Sequence, residues 1–178
     1  MSPDASAGPV RRLLVLRHAK SEWPNATPDH RRPLAARGRR DAPAAGAWLR
    51  DHGPVPEVVL CSTARRAKQT WSLVAAELAP SGPPEARFED RIYDADVADL
   101  IAVLRETPDE AGTVLMVGHN PGFQELTLLL AAGGEGDALD RLALKFPTSG
   151  IAVLTVDVPW SELRFGAASL TEFVVPRG

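Results

Sequence analysis

Arg17 and His18 stand side by side directly after Leu13-Leu14-Val15-Leu16, a cation and an imidazole at the end of a run without a polar residue. A neutral imidazole is a nucleophile and proton carrier near neutral pH, and a guanidinium matches the geometry of anionic oxygens. Together they suit chemistry on a phosphate-like anion. Alone the pair says little, since a strand running into a solvated loop would look the same. Two further segments add weight. Ser62-Thr63-Ala64-Arg65-Arg66 follows a second, largely apolar run at 57–61, and, after Gly118, His119-Asn120 follows a third at 113–117. The last two segments also open helices, whose free N–H groups and dipole favour negative charge. No glycine-rich Walker or dinucleotide motif is present.

The apolar runs that deliver these groups read as strands buried on both faces, as in a parallel sheet. In open α/β sheets ligands sit outside the carboxyl ends of the strands, so the topology rule brings all three polar segments to one edge. Between them the chain reads as helices. Residues 34–51 are alanine-rich, and because Pro43 is tolerated in a first turn the regular helix is expected to begin near Asp41 and to stop at Gly53-Pro54. Ser62 is expected to cap a helix over 63–79 whose buried stripe is Ala67, Trp71, Val74, Ala75 and Leu78. A short strand is expected at 87–92. Asp96 is expected to cap a helix carrying Val97, Leu100, Ile101 and Leu104, and Pro121 to start one carrying Phe123, Leu126, Leu129 and Leu130 that ends at 133–136. Strands at 150–156 and 162–169 complete the reading, joined as a hairpin through Pro159-Trp160. The alternation predicts an α/β protein, a three-layer α/β/α sandwich with a mostly parallel central sheet. Residues 1–10 are expected to be a flexible tail and 11–178 a single domain.

The bulk properties narrow the functional classes. With 178 residues, 44% hydrophobic and 24% charged, the chain is of ordinary globular composition, and its net charge of −3 gives no reason to expect nucleic acid or a membrane surface as partner. No run approaches the ~20 apolar residues of a membrane span. The single cysteine, Cys61, forms no internal disulfide, and no signal peptide is visible, so a cytoplasmic location is expected.

Three motifs then match a known family. Arg17-His18-Ala19-Lys20-Ser21 resembles the Arg-His-Gly/Ala motif of the histidine phosphatase superfamily, with its phosphoglycerate-mutase-like fold. Residues 62–70 resemble that family's Ser-Pro-x-x-Arg-Ala-x-Gln-Thr segment, with Thr63 in place of the proline, and Gly118-His119-Asn120-Pro121 is similar to its second histidine motif. Order and spacing agree over roughly residues 12–157. Arg32-Pro33-Leu34, Arg37-Gly38 and Phe146-Pro147-Thr148-Ser149-Gly150 bring the chain nearer to the small SixA branch, which is associated with phosphohistidine phosphatase activity.

The resemblance implies a metal-independent phosphatase without cofactor, in which His18 is transiently phosphorylated and Arg17, Arg66 and His119 hold the phosphoryl oxygens. It implies a phosphorylated substrate, a phosphohistidine-containing protein or a small phosphate ester. Arg66 is chosen over its neighbour Arg65 by the Arg-Ala-x-Gln-Thr alignment. Ser62, Ser21 and Arg32 are further candidates for phosphate or substrate binding, Ser62 with a plain capping role as its alternative. The family's proton-donor motif is missing; Asp94 is the candidate and Glu89 the reserve. Independently of the family, a histidine attacks phosphorus only when neutral, and adjacent arginines disfavour its protonated form while stabilising equatorial oxygen charge in the transition state.

Other readings stay open at this stage. A mutase of the same fold would pass the phosphoryl group to a substrate hydroxyl, and a phosphate-sensing module would bind without turnover. Asp90, Asp94, Asp96 and Asp99 lack the calcium-loop glycine and terminal glutamate, so capping and solvation account for them better than a metal. His30 and His52 are expected at the surface, Trp23 as either a pocket wall or an exposed loop residue, and Cys61 as a small buried residue.

Overall fold

The computed structural model describes residues 8–178, so residues 1–7 of the expected tail lie outside the described residues. Seven strands form one sheet: β1 (Arg11–Arg17), β2 (Val58–Ser62), β3 (Ala86–Glu89), β4 (Thr113–Gly118), β5 (Ala131–Gly134), β6 (Ile151–Val156) and β7 (Ala168–Val174). Their order across the sheet is β3-β2-β4-β1-β6-β7-β5. β6 is antiparallel to both neighbours and the other pairings are parallel, so the sheet is mixed but mostly parallel.

Among the described residues five α-helices cover it: α1 (Ala36–His52), α2 (Arg65–Leu78), α3 (Val97–Arg105), α4 (Gly122–Leu130) and α5 (Ala138–Leu144). The alternation of side chains along each strand splits the core into two layers. Leu13 and Val15 of β1 join Met116, Leu100, Phe123, Leu126 and Leu142 on the face covered by α3, α4 and α5. Leu14 and Leu16 join Val117, Ala45, Leu49, Trp71 and Val74 on the face covered by α1 and α2. Both faces of the central strands are therefore dry, which is why β1 and β4 read as continuous apolar runs.

Several boundaries depart from the sequence reading. α1 begins at Ala36, not Asp41, and carries Pro43 in its interior. Proline removes one donor from the ladder; the burial of Ala42 against Ala19 and Leu34 holds the turn in place regardless. Ser62 is the last residue of β2 rather than a helix cap, since α2 starts at Arg65 with Ala64 at the capping position and no side-chain cap. The helix expected to run to a stop at 133–136 ends at Leu130, residues 131–134 form the edge strand β5, and α5 follows. The last strand lies at 168–174, not 162–169: Trp160 and Leu163 turn into the core, where Trp160 Nε1 donates to the Ala111 carbonyl at 2.7 Å, and pairing with β6 starts only beyond them. The Asp96 cap is as expected, with Asp99 completing a reciprocal capping box.

One packing contact ties α1 to the loop after β1. A Cβ built on Gly38 would lie 2.1 Å from the Lys20 carbonyl oxygen, so only glycine allows the helix to approach the chain two residues beyond His18. Gly38→Ala is expected to lower stability by about 1–3 kcal/mol, read as a lower urea midpoint at unchanged m-value.

Candidate active site

β1 and β4 are neighbours in register, with Arg17 opposite Gly118, so the residues that follow them emerge at one sheet edge. The amide of His18 donates to the Gly118 carbonyl at 2.9 Å, fixing the first histidine loop against the second. Gly118 is needed for that approach, because a Cβ there would meet Phe123 and Ile92 at 2.5 and 2.8 Å. From the other side the Ser149 amide donates to the carbonyls of Arg17 and His18 at 3.1 and 3.2 Å. The Ala19 amide donates to Thr70 Oγ1 of α2 at 3.0 Å, and Gln69 Oε1 accepts from the Leu34 amide at 2.8 Å. The Gln-Thr end of the second motif is thus scaffolding for the first.

The four expected residues meet in one cavity of about 400 Å³, lined among others by Arg17, His18, Arg66, His119, Ser21 and Arg32. His18 is 6% exposed. Its Nδ1 lies 2.7 Å from the Ala19 carbonyl, which can only accept, so Nδ1 carries the proton and Nε2 presents a lone pair. Arg66 Nε donates to that Nε2 at 3.3 Å. The His18 and His119 rings are 5.1 Å apart between centroids. His119 Nε2 lies 2.7 Å from Ser62 Oγ, which also accepts from the Ala64 amide. Ser62, fully buried, is therefore a support for His119. Arg17 Nη1 donates to the Phe146 carbonyl at 2.8 Å, a carbonyl it shares with Asn120 Nδ2. Arg17 Nε and His119 Nδ1 are buried without a hydrogen-bond partner, both on residues that line the cavity.

Burial, then the neighbouring His119, and only after these Arg66 and Arg17, hold the His18 imidazole well below its usual 6.5. The arginines are thus a secondary cause of its neutrality. Burial followed by Arg66 lowers His119 to about 3. In proton resonance spectra both rings are therefore expected to stay in the neutral form down to pH 5.5, and a midpoint near 6.5 for either would contradict this geometry. The same shifts set a sign for stability. Below pH 6.5 the unfolded chain takes up protons that the folded one refuses, so the contribution of these neutral rings is complete above 6.5 and is lost as pH falls toward the depressed values.

The remaining expectations divide. Arg65 is exposed while Arg66 is buried, as the motif alignment indicated. Ser21 Oγ accepts from Arg32 Nη1 at 2.7 Å, and Trp23 lies over the Arg32 guanidinium at 3.6 Å while remaining 75% exposed, so it walls the cavity and faces solvent at once. Asp94 lines the rim, exposed and with a positive φ of 53°. Glu89, the reserve proton donor, is held by Arg91 and is absent from the cavity wall; the same contact lowers it to about 2. His30 is not a free surface residue: Nε2 meets Thr63 Oγ1 at 2.9 Å and the ring stands edge-on to Tyr93. Cys61 is buried, and burial pushes its thiol up to about 12. Sequence reasoning missed Asp29 and Tyr93, both in the cavity wall. The spacing of Asp29 and Arg32 within one turn was the available signal for the first; nothing local marks the second. Among the described residues no three His, Cys, Asp or Glu side chains form a metal-ligand set, and no helix is long and apolar enough to cross a membrane.

Comparison with known proteins places this geometry. Residues 13–100 match the histidine phosphatase superfamily, branch 1. An uncharacterised protein of Mycobacterium tuberculosis is 43% identical over 164 residues, covering 91% of this chain and all of that protein. A solved structure from Nakamurella multipartitia, which carries the provisional name phosphohistidine phosphatase SixA, superposes with a TM-score of 0.82 at 33% identity, over 94% of this chain and 96% of the other. The protein histidine phosphatase SixA, solved with tungstate, gives a TM-score of 0.74 at 26% identity, over 93% and 97% of the two chains.

Proposed function

Since the chain belongs to the histidine phosphatase superfamily and to its SixA-like branch, we propose that it is a phosphohistidine phosphatase working through a phosphorylated His18. The observation that carries this reading is the state of His18: a neutral imidazole, its Nδ1 proton committed to Ala19, its Nε2 lone pair directed toward Arg66.

In the first step the Nε2 lone pair forms a bond to phosphorus as the bond from phosphorus to the substrate nitrogen breaks, and the departing imidazole nitrogen takes up a proton from water at the exposed rim, where Asp94 is the candidate donor. In the second, a water oxygen bonds to phosphorus, the bond to Nε2 breaks, and inorganic phosphate leaves with the imidazole restored. Arg17, Arg66 and His119 hold the equatorial oxygens, where charge gathers in the transition state. Positioning and electrostatics supply the rate, and the protein's own cations do the neutralising.

Two features favour phosphohistidine over an alkyl phosphate. Imidazole is the better leaving group and makes little demand on a protein acid. Of the carboxyls considered, Glu89 is tied up by Arg91, and Asp94 stands at the exposed rim as the candidate proton donor. The rim residues Lys20, Trp23 and Asp94 are exposed, which suits a site that admits a group carried on a protein surface. The test is phosphate release in EDTA from a phosphohistidine-bearing protein and from a panel of small phosphate esters, with wild type and His18→Ala in parallel. Fast, His18-dependent release from the phosphoprotein supports the proposal. Release from esters alone would move the substrate to metabolites, and release from neither would leave a binding module.

A further inference from the structure

The cavity that would receive an anion already contains one. Asp29, in a short turn before Arg32, accepts from three side chains: Tyr93 Oη at 2.6 Å, Arg32 Nε at 2.9 Å and Arg66 Nη2 at 3.2 Å. Its carbonyl accepts from Arg66 Nη1 at 2.8 Å. Both terminal nitrogens of Arg66 are thus held by a residue 37 positions earlier in the chain, and only Nε is left for His18. Arg32 is likewise held between Asp29, Ser21 and the Glu22 carbonyl. The donors, Tyr93 foremost, keep the Asp29 carboxyl far below the usual carboxylate range, so it is charged at every working pH and supplies no proton.

On the phosphatase reading above, we propose that Asp29 is a positioning residue with two opposed effects. It orients Arg66 and Arg32 for the phosphoryl group, and its fixed negative charge weakens the cavity's hold on product phosphate. The charges lining the cavity make the second effect follow from the first. Arg17, Lys20, Arg32 and Arg66 face two carboxylates, Asp29 and Asp94, and Asp29 alone of these two is bonded to the arginines. A dianion entering the cavity gains from the cations and is repelled by Asp29 at close range. A pocket lacking that charge would grip phosphate more tightly and release it more slowly.

The test uses the full chain and inorganic phosphate as probe, measured by calorimetry together with kcat and KM on the phosphoprotein. Asp29→Asn keeps the size and one oxygen acceptor but removes the charge, and the backbone bond to Arg66 is untouched. Phosphate is expected to bind about fivefold or more tightly, the size of effect a unit charge has at close range in a partly buried site, while kcat falls about tenfold as Arg66 loses its orientation. Asp29→Ser serves as a second uncharged variant, with thermal melting to check folding. Tyr93→Phe keeps the charge and should bind phosphate within about twofold of wild type. A merely structural role would weaken phosphate binding along with stability, so unchanged or weaker binding in both uncharged variants overturns the proposal. Calorimetry needs no turnover. If hydrolysis is absent but the uncharged variants bind phosphate more tightly, the functional reading falls and the effect of Asp29 on binding stands. If hydrolysis depends on His18 and phosphate binding ignores Asp29, this inference falls alone.

Discussion

His18→Ala is expected to cut phosphate release by at least roughly 10⁴-fold, the scale on which removing a covalent nucleophile acts, while the chain still folds. The size follows from the absence of a substitute. His119, the nearest imidazole, has its Nε2 engaged with Ser62, and its other nitrogen is buried. Solvent water could attack a phosphoryl group bound by Arg17 and Arg66, but it would lack the fixed approach that His18 Nε2 has. Folding should survive because the side chain bonds only to the adjacent carbonyl of Ala19 and to Arg66, while the loop is held by its backbone bonds to the Gly118 carbonyl and from the Ser149 amide, which the substitution leaves in place. Steady-state release and a denaturation curve on the same preparation check both halves. A variant retaining a rate near wild type would end the covalent mechanism.

Arg66→Ala is expected to lower kcat/KM by about 10²–10³-fold, the cost of removing one preorganised charge from a transition state. Arg66 touches the nucleophile through Nε and the Asp29 anchor through both terminal nitrogens, so its loss removes a cation and frees Asp29 to repel the substrate. Arg66→Lys should recover less than a tenth of the activity, since an ammonium cannot span Asp29 and His18 together in the way a planar fork does. Full recovery with lysine would mean that charge alone matters at this position. Arg65, one residue away and exposed, offers a control: Arg65→Ala should change kcat/KM by less than about twofold.

How much of this was legible beforehand follows from how local each signal is. The strands β1 and β4 and the helices α2, α3 and α4 announced themselves because burial on both faces leaves a continuous apolar run and burial on one face a helical periodicity, and either shows in the order of the residues. Arg17, His18, Arg66 and His119 were legible because each follows an apolar run or opens a helix, and the topology of a mostly parallel sheet sends such positions to one edge. The choice of Arg66 over Arg65 also lay in the sequence, through the match of residues 66–70 to the family's Arg-Ala-x-Gln-Thr segment, and α2 turns Arg66 inward and Arg65 outward.

What tertiary structure alone decided concerns partners distant in the chain. Ser62 looked like a cap because serine before a helix usually is one; the arrival of His119, 57 residues later, made it a support instead. β5 is Ala-Ala-Gly-Gly, which has no strand propensity and pairs only because β7 lies alongside. Pro43 stays inside α1 because buried contacts with the loop after β1 outweigh one missing hydrogen bond. The Asp29–Tyr93–Arg66 cluster joins three segments whose separation in sequence carries no periodic trace. Local pattern records which face of an element is dry; it does not record which charged side chains will share a cavity wall, because that depends on distances set only when the sheet and its helices have closed.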